Sequence, residues 1–151
     1  MRYLGAWQKA ARRVAWLAAM AVLAGFSPAC TEPRPEVKDL EMRARQYMEA
    51  RQSRNWSDVY DDFMDPAGRA TVDKAEFLAT RGGGFDILGF EVLQAEVDAT
   101  AEPPVGELRM RMEALIPLLA PGGGSHTVRR MMEDPQQWVF RDGQWYVQLR
   151  R

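Results

Sequence analysis

Apolar and polar positions follow two rhythms along this chain, a helical one up to about residue 84 and an extended one after it. From Pro35 to Arg51 the apolar or long side chains fall at Val37, Leu40, Ala44, Tyr47 and Met48, the stripe of an amphipathic helix. Pro35 suits a first-turn position, Glu36 and Asp39 complement the positive end of the helix dipole, and Arg51 and Arg54 complement the other end. A second, shorter helix is predicted from Ser57, as N-cap, to Met64, burying Val59, Tyr60, Phe63 and Met64, with Trp56 at its entrance. It stops at Asp65-Pro66, because the residue before a proline resists the α region. A third helical turn or two begins at Thr71, buries Phe77 and Leu78, and ends in Arg81-Gly82-Gly83-Gly84.

The extended half starts at Phe85. Leu88, Phe90 and Val92 share one parity, and Leu93, Ala95 and Val97 share the other. A period of two cannot change parity without an extra residue, so a β-bulge is predicted near Val92-Leu93. After a loop holding Pro103-Pro104, the stretch Glu107 to Ile116 alternates strictly. Leu108, Met110, Met112, Ala114 and Ile116 lie on one side, and Glu107, Arg109, Arg111 and Glu113 on the other, the pattern of a half-buried strand. Pro117 confines its continuation to an edge or an end, and Pro121 to Ser125 connects it to a strand around Thr127 to Glu133.

The closing stretch, Gln136 to Arg150, reads as a β-hairpin. Asp142-Gly143 can take the two positive φ values of a type I′ turn, which places Phe140 opposite Trp145 and Trp138 opposite Val147. Trp138, Phe140, Trp145, Val147 and Leu149 then share one face, and that face needs a cover. The expected fold class is therefore α+β, with N-terminal helices packed on a strongly bent antiparallel sheet of four to five strands.

Ahead of this domain the composition changes. Arg2, Lys9, Arg12 and Arg13 precede an uncharged run, Val14 to Phe26, too short to span a bilayer comfortably and suited to the apolar region of a signal peptide. Residues 1–29 are read as that signal, 30–35 as a modified cysteine and a Pro-containing tether, and 36–151 as the folded domain. Ser27-Pro28-Ala29 puts small residues before Cys30, which also stands where a bacterial lipoprotein signal carries its cysteine, although Ser27 replaces the usual Leu-like residue. Cys30 is the single cysteine, so no intrachain disulfide can form, and a lone free thiol is awkward in an oxidising compartment. Lipidation of Cys30, plain cleavage and an uncleaved anchor are the three outcomes, and acyl chains would account for both its position and its solitude. The expected address is the periplasmic side of a bacterial cell envelope, with the lipid on Cys30 as the membrane contact.

With those four cations set aside, sixteen basic residues face twenty-one acidic ones. A mildly acidic domain with interspersed signs has no electrostatic footprint for nucleic acid. No thiolate zinc site, P-loop, nucleophile elbow or CxxC pair is present in the sequence, and neither a metal nor a cofactor is expected. The catalytic candidates are Asp61 within an acidic short helix, Tyr60 beside it, and His126, the single histidine, after a triple-glycine stretch. Asp61 and its acidic neighbours read first as a solvated face, His126 as a loop or strand-start residue, and Met110, Met112, Met131 and Met132 as core or pocket lining. Arg109 and Arg111 read first as a solvated strand face.

The arrangement resembles the NTF2-like (SnoaL-like) superfamily. The similarity is carried by the opening helix, by NWSDVYDDFMDPAGR and TVDKAEFLA, and by the closing WVFRDGQWYV, and it covers roughly residues 36–150. It implies an α+β cone whose helices and bent sheet enclose a pocket, often dimeric through the outer sheet face. It also implies that an enzyme of this kind would place Asp, His or Tyr inside the cone. Tyr60, Met110, Met112, Trp138 and Phe140 are then the expected pocket walls. The leading functional expectation is a non-catalytic envelope protein that binds a small apolar ligand or a protein partner. A cone-type isomerase or dehydratase, or a purely structural assembly subunit, are the alternatives.

Overall fold

Helix α1 covers Val37–Gln52 in the computed structural model, which describes residues 34–81, 84–119 and 125–148. Residues 1–29, expected to be an export signal, Cys30 and Leu149 lie outside the described residues. Leu40, Ala44, Tyr47 and Met48 are buried along α1 as their spacing predicts, while Val37, one turn earlier, stays exposed. Burying side chains of this size contributes about 1.5–3 kcal/mol each, so the stripe rather than intrinsic propensity holds the helix on the sheet.

The next helical segment differs in kind from the sequence expectation. A single turn, α2 (Trp56–Asp58), widens at once into a π turn over Val59–Phe63, closed by Met64 N donating to Val59 O at 3.1 Å. Its N-cap position is Asn55, two residues ahead of the capping role expected of Ser57. The wider turn brings residues four and five apart onto one side, and Val59, Tyr60, Phe63 and Met64 are all buried. Met64 is extended, and Asp65 N donates to Val147 O at 3.1 Å, so the chain leaves the π turn by docking on the last strand.

A short helix α3 (Pro66–Arg69) follows, which periodicity does not reveal at four residues. Its signal was local: the Asp65 side chain accepts from Ala67 N, and Pro66 takes the first-turn position. Helix α4 (Lys74–Arg81) starts three residues later than Thr71, because Asp73 Oδ1 accepts from Ala75 N at 2.8 Å and Glu76 N at 3.2 Å. Phe77 is buried, whereas Leu78 faces outward.

Four strands, β1 (Asp86–Asp98), β2 (Val105–Leu119), β3 (Ser125–Arg141) and β4 (Gln144–Gln148), form one antiparallel sheet in the order β1-β2-β3-β4. The described domain is thus helices followed by an open four-stranded meander. The β1–β2 register shifts between Val92 and Gln94, where the parity change predicted a bulge, and shifts again between Ile87 and Gly89. The second shift was hidden because Leu88 looks like a core residue. With both extra residues skipped, Ile87, Phe90, Val92, Ala95 and Val97 all face the core.

β2 runs through Pro117, and β3 runs through Pro135 as one strand where the sequence suggested a strand around Thr127 to Glu133 and then a hairpin. Both prolines are tolerated for one reason. Pro117 lies past Leu115, which pairs with Asp86 at the start of β1, and Pro135 lies ahead of Gln137, which pairs with Gln148 at the end of β4. Each proline therefore stands where its strand has a described neighbour on one side only, and a missing N–H costs no ladder bond there.

The hairpin forms as predicted: Trp138 pairs with Val147, Phe140 with Trp145, and Asp142 and Gly143 have φ of 50° and 78°. α1 and the π turn supply the cover. Tyr47 packs edge-on against Trp138 at 5.6 Å between ring centroids, and Trp138 and Trp145 are both fully buried. Gly106 lies under both α1 and the hairpin, where a Cβ would stand 2.6 Å from Leu40 Cδ2 and 3.1 Å from Trp145 Cζ3.

Candidate functional site

A cleft of about 560 Å³ opens between α3, α4 and the end of the β3–β4 hairpin. Met64, Val72, Phe77 and Val147 form its apolar walls, and Gly68, which carries no side chain, leaves room beside Met64. Asp65, Glu76, Arg81, Gln137 and Gln148 contribute polar groups. The π turn positions this cleft: the Tyr60 hydroxyl donates to Val72 O at 2.6 Å, with Arg69 O at 3.2 Å, and its ring lies 5.4 Å from that of Phe77. Asp65 is buried at the edge of the cleft, but its Oδ1 accepts from Ala67 N at 3.2 Å and is ion-paired with Arg141, whose Nε lies 3.3 Å away without hydrogen-bond geometry.

A smaller polar cleft of about 170 Å³ lies on the other side of Phe77 and Arg81, lined also by Tyr47, Arg51, Trp56 and Asp134. Behind it runs a buried chain of hydrogen bonds. Arg51 Nη1 donates to Asp134 Oδ2 at 2.6 Å, Gln136 Nε2 donates to the same oxygen at 3.0 Å, and Trp138 Nε1 donates to Gln136 Oε1 at 3.2 Å. Burial pulls the Arg51 pKa down, but Tyr47 and Asp134 outweigh it and hold the guanidinium above its ordinary value. Burial raises the Tyr47 phenol, opposed in part by Arg51 and Arg81, so it stays protonated and is a poor base. Arg81 has no carboxylate partner among the described residues and lies 5.0 Å from the Phe77 ring centroid.

The residues singled out from the sequence do not assemble into one site. Asp61 is exposed, its carboxylate held below the usual range mainly by a hydrogen bond from Lys74 Nζ at 2.5 Å. Tyr60 spends its hydroxyl on backbone carbonyls, and His126 is exposed opposite Leu118, near the open end of the β2–β3 pair. Met110, Met112 and Trp138 are core residues and line neither cleft. Phe140 is half-buried against Trp145 and lines a groove of about 180 Å³ with Met42 and Arg43. Arg109 donates to Gln94 Oε1 and Arg111 to Glu91 Oε1, which engages the outer strand face across β1 and β2.

Asp134 and Gln136 were not singled out, although the hairpin contained their signal. Counting back from Trp138 by twos puts both on the covered face, where polar groups need partners.

No family model matches this chain, and no curated protein matches it. Among solved structures it is similar to RPA3114, a SEC-C motif containing protein from Rhodopseudomonas palustris, at 17% identity and a TM-score of 0.52, over 76% of this chain and 79% of that one. That likeness concerns the fold alone, helices with a four-stranded antiparallel sheet. It overturns the NTF2-like (SnoaL-like) expectation, since the similar solved structure is a SEC-C motif containing protein. The closing Trp…Asp-Gly-x-Trp stretch misled for a physical reason: turn chemistry and cross-strand aromatic pairing specify such a hairpin locally, whatever sheet it closes.

Proposed function

We propose that this chain is an exported cell-envelope protein, tethered through acyl chains on Cys30, whose domain binds a small, mainly apolar ligand without converting it. The observation that carries the binding part is the cleft of about 560 Å³, a size suited to small-molecule sites, with Met64, Val72, Phe77 and Val147 as apolar walls among about as many polar side chains. Its most buried ionisable group, Asp65, is already held by Arg141 and a backbone N–H. A general acid or base needs a free proton path at the reacting atom, and Tyr60, Asp61 and His126 do not converge on the cleft. The anchoring part rests on the residues before the domain: a basic start, a short apolar run and a solitary cysteine after Ser27-Pro28-Ala29.

Two measurements test the two parts separately. Mass spectrometry of the mature protein from membranes is expected to find a diacylglyceryl mass on Cys30, and a soluble product beginning elsewhere overturns the tether. Titration with a solvatochromic apolar dye is expected to show saturable binding that Thr80→Trp, which fills the cleft from its rim, abolishes. Binding unaffected by Thr80→Trp, or none at all, removes the ligand assignment.

A further inference from the structure

β3 is 17 residues long, yet β4 pairs only with Gln137 to Arg141. Between Thr127 and Asp134 no described residue pairs with the side of β3 that faces away from β2. Backbone groups alternate between the two sides of an antiparallel strand. Arg141 closes the two-residue turn against Gln144, and Phe140 N donates to Pro104 O on the β2 side. Odd-numbered residues of β3 therefore turn their N–H and C=O toward β4 and, further upstream, toward the open edge. Arg129, Met131 and Glu133 are those residues, and Pro135, next in the series, has no N–H to offer.

An open edge of this kind pairs with another strand unless something blunts it. We propose that the partner is a second copy of this chain, pairing antiparallel through β3 about a two-fold axis at Met131. In that register Met131 meets its own copy, and Arg129 of each chain meets Glu133 of the other. Each of these three residues can then exchange both backbone hydrogen bonds with its opposite.

The charges select the register. The run Arg129-Arg130-Met131-Met132-Glu133-Asp134 is basic in its first third and acidic in its last, so reversing it against itself sets opposite signs together. Moving the axis to Arg130 places two like charges face to face. Moving it to Met132 sets Met131 against Glu133 and Arg129 against Pro135, which has no N–H to give, and pairs Arg130 with Asp134, whose carboxylate is already held by Arg51. Met131 is 61% exposed on a strand face whose neighbours are charged, and Glu133 has no ion-pair partner among the described residues. Arg129 already touches Glu113 at 3.2 Å, with its side chain still two-thirds exposed, and can serve both carboxylates. Packing two copies through the outer sheet face would instead bury the Arg111–Glu91 pair and Arg109, whereas edge pairing leaves them in water.

Sedimentation velocity of the full-length chain in density-matched detergent tests this. The wild-type chain is expected to run as a concentration-dependent dimer. Met131→Lys, which sets two ammonium groups together at the axis, and Glu133→Arg are each expected to weaken it about tenfold or more. Combining Arg129→Glu with Glu133→Arg restores opposite signs and is expected to recover most of the affinity. All three positions are exposed, and unchanged thermal midpoints confirm that the variants fold. A monomer at every concentration, a dimer indifferent to both single changes, or a double variant no better than Glu133→Arg alone overturns the proposal.

Discussion

Arg51, at the end of α1, reaches Asp134, in the middle of β3, at 2.6 Å, and this contact ties the main helix to the sheet across 83 residues of sequence. Both side chains are largely withdrawn from water, at 15% and 22% exposure. Removing one partner leaves the other charge without compensation, which matters more than the net worth of the pair. Asp134→Ala is expected to cost about 3 kcal/mol in chemical denaturation, and Arg51→Met with Asp134→Leu to recover most of that loss. If the double variant is as unstable as the single one, the pair contributes through shape rather than charge.

Tyr47 gives stability a dependence on alkaline pH. Its folded pKa lies above the ordinary value of 10.0, chiefly because burial disfavours the phenolate. The folded state holds the proton more tightly than the unfolded one, so this contribution is complete below pH 10 and is lost as pH rises through the folded pKa. Denaturation midpoints are expected to fall above pH 10 less steeply in Tyr47→Phe than in the wild-type protein. Equal slopes in the two proteins would mean that Tyr47 does not titrate with unfolding.

Gly106, on β2, faces both Leu40 of α1 and Trp145 of the hairpin. A methyl group there meets Leu40 Cδ2 at 2.6 Å and Trp145 Cζ3 at 3.1 Å, and both side chains are enclosed. Gly106→Ala is expected to destabilise by about 1–3 kcal/mol through overpacking. Adding Leu40→Ala should then cost less than it does in the wild-type background, and simple additivity of the two would contradict a direct clash.

Trp138 is the largest wholly enclosed side chain and has its indole N–H on Gln136. Trp138→Ala is expected to cost about 3–5 kcal/mol, from lost burial and from the cavity left under Tyr47. A loss below about 1 kcal/mol would show that the hairpin face is not roofed as described.

Much of the fold was legible in the sequence because its causes are local. The stripe Leu40, Ala44, Tyr47, Met48 specifies which side of α1 is buried, and Asp142-Gly143 specifies a turn that pairs Trp138 with Val147. The parity change at Val92-Leu93 forced a bulge into β1 before any partner strand was known. The second bulge, at Leu88, escaped because a single apolar residue out of phase is indistinguishable from a core residue until its neighbour across the sheet is seen. Pro117 was read as confining β2 to an edge or an end, and the stretches before and after Pro135 as separate strands, since the sequence carries no record of where β1 begins or β4 ends.

The candidate site was much less legible. Residue types pointed to Tyr60, Asp61 and His126, but the folded chain engages Tyr60 with carbonyls, leaves Asp61 with Lys74 on the surface and sets His126 opposite Leu118. Periodicity and turn chemistry act over a few residues, so the sequence alone determined the helix faces, the closing hairpin and a bend in β1. Which side chains meet across the interior depends on contacts between residues far apart in the chain. Only the tertiary structure joined Arg51 to Asp134, opened the cleft beside Phe77, and left the edge at Met131 without a described neighbour.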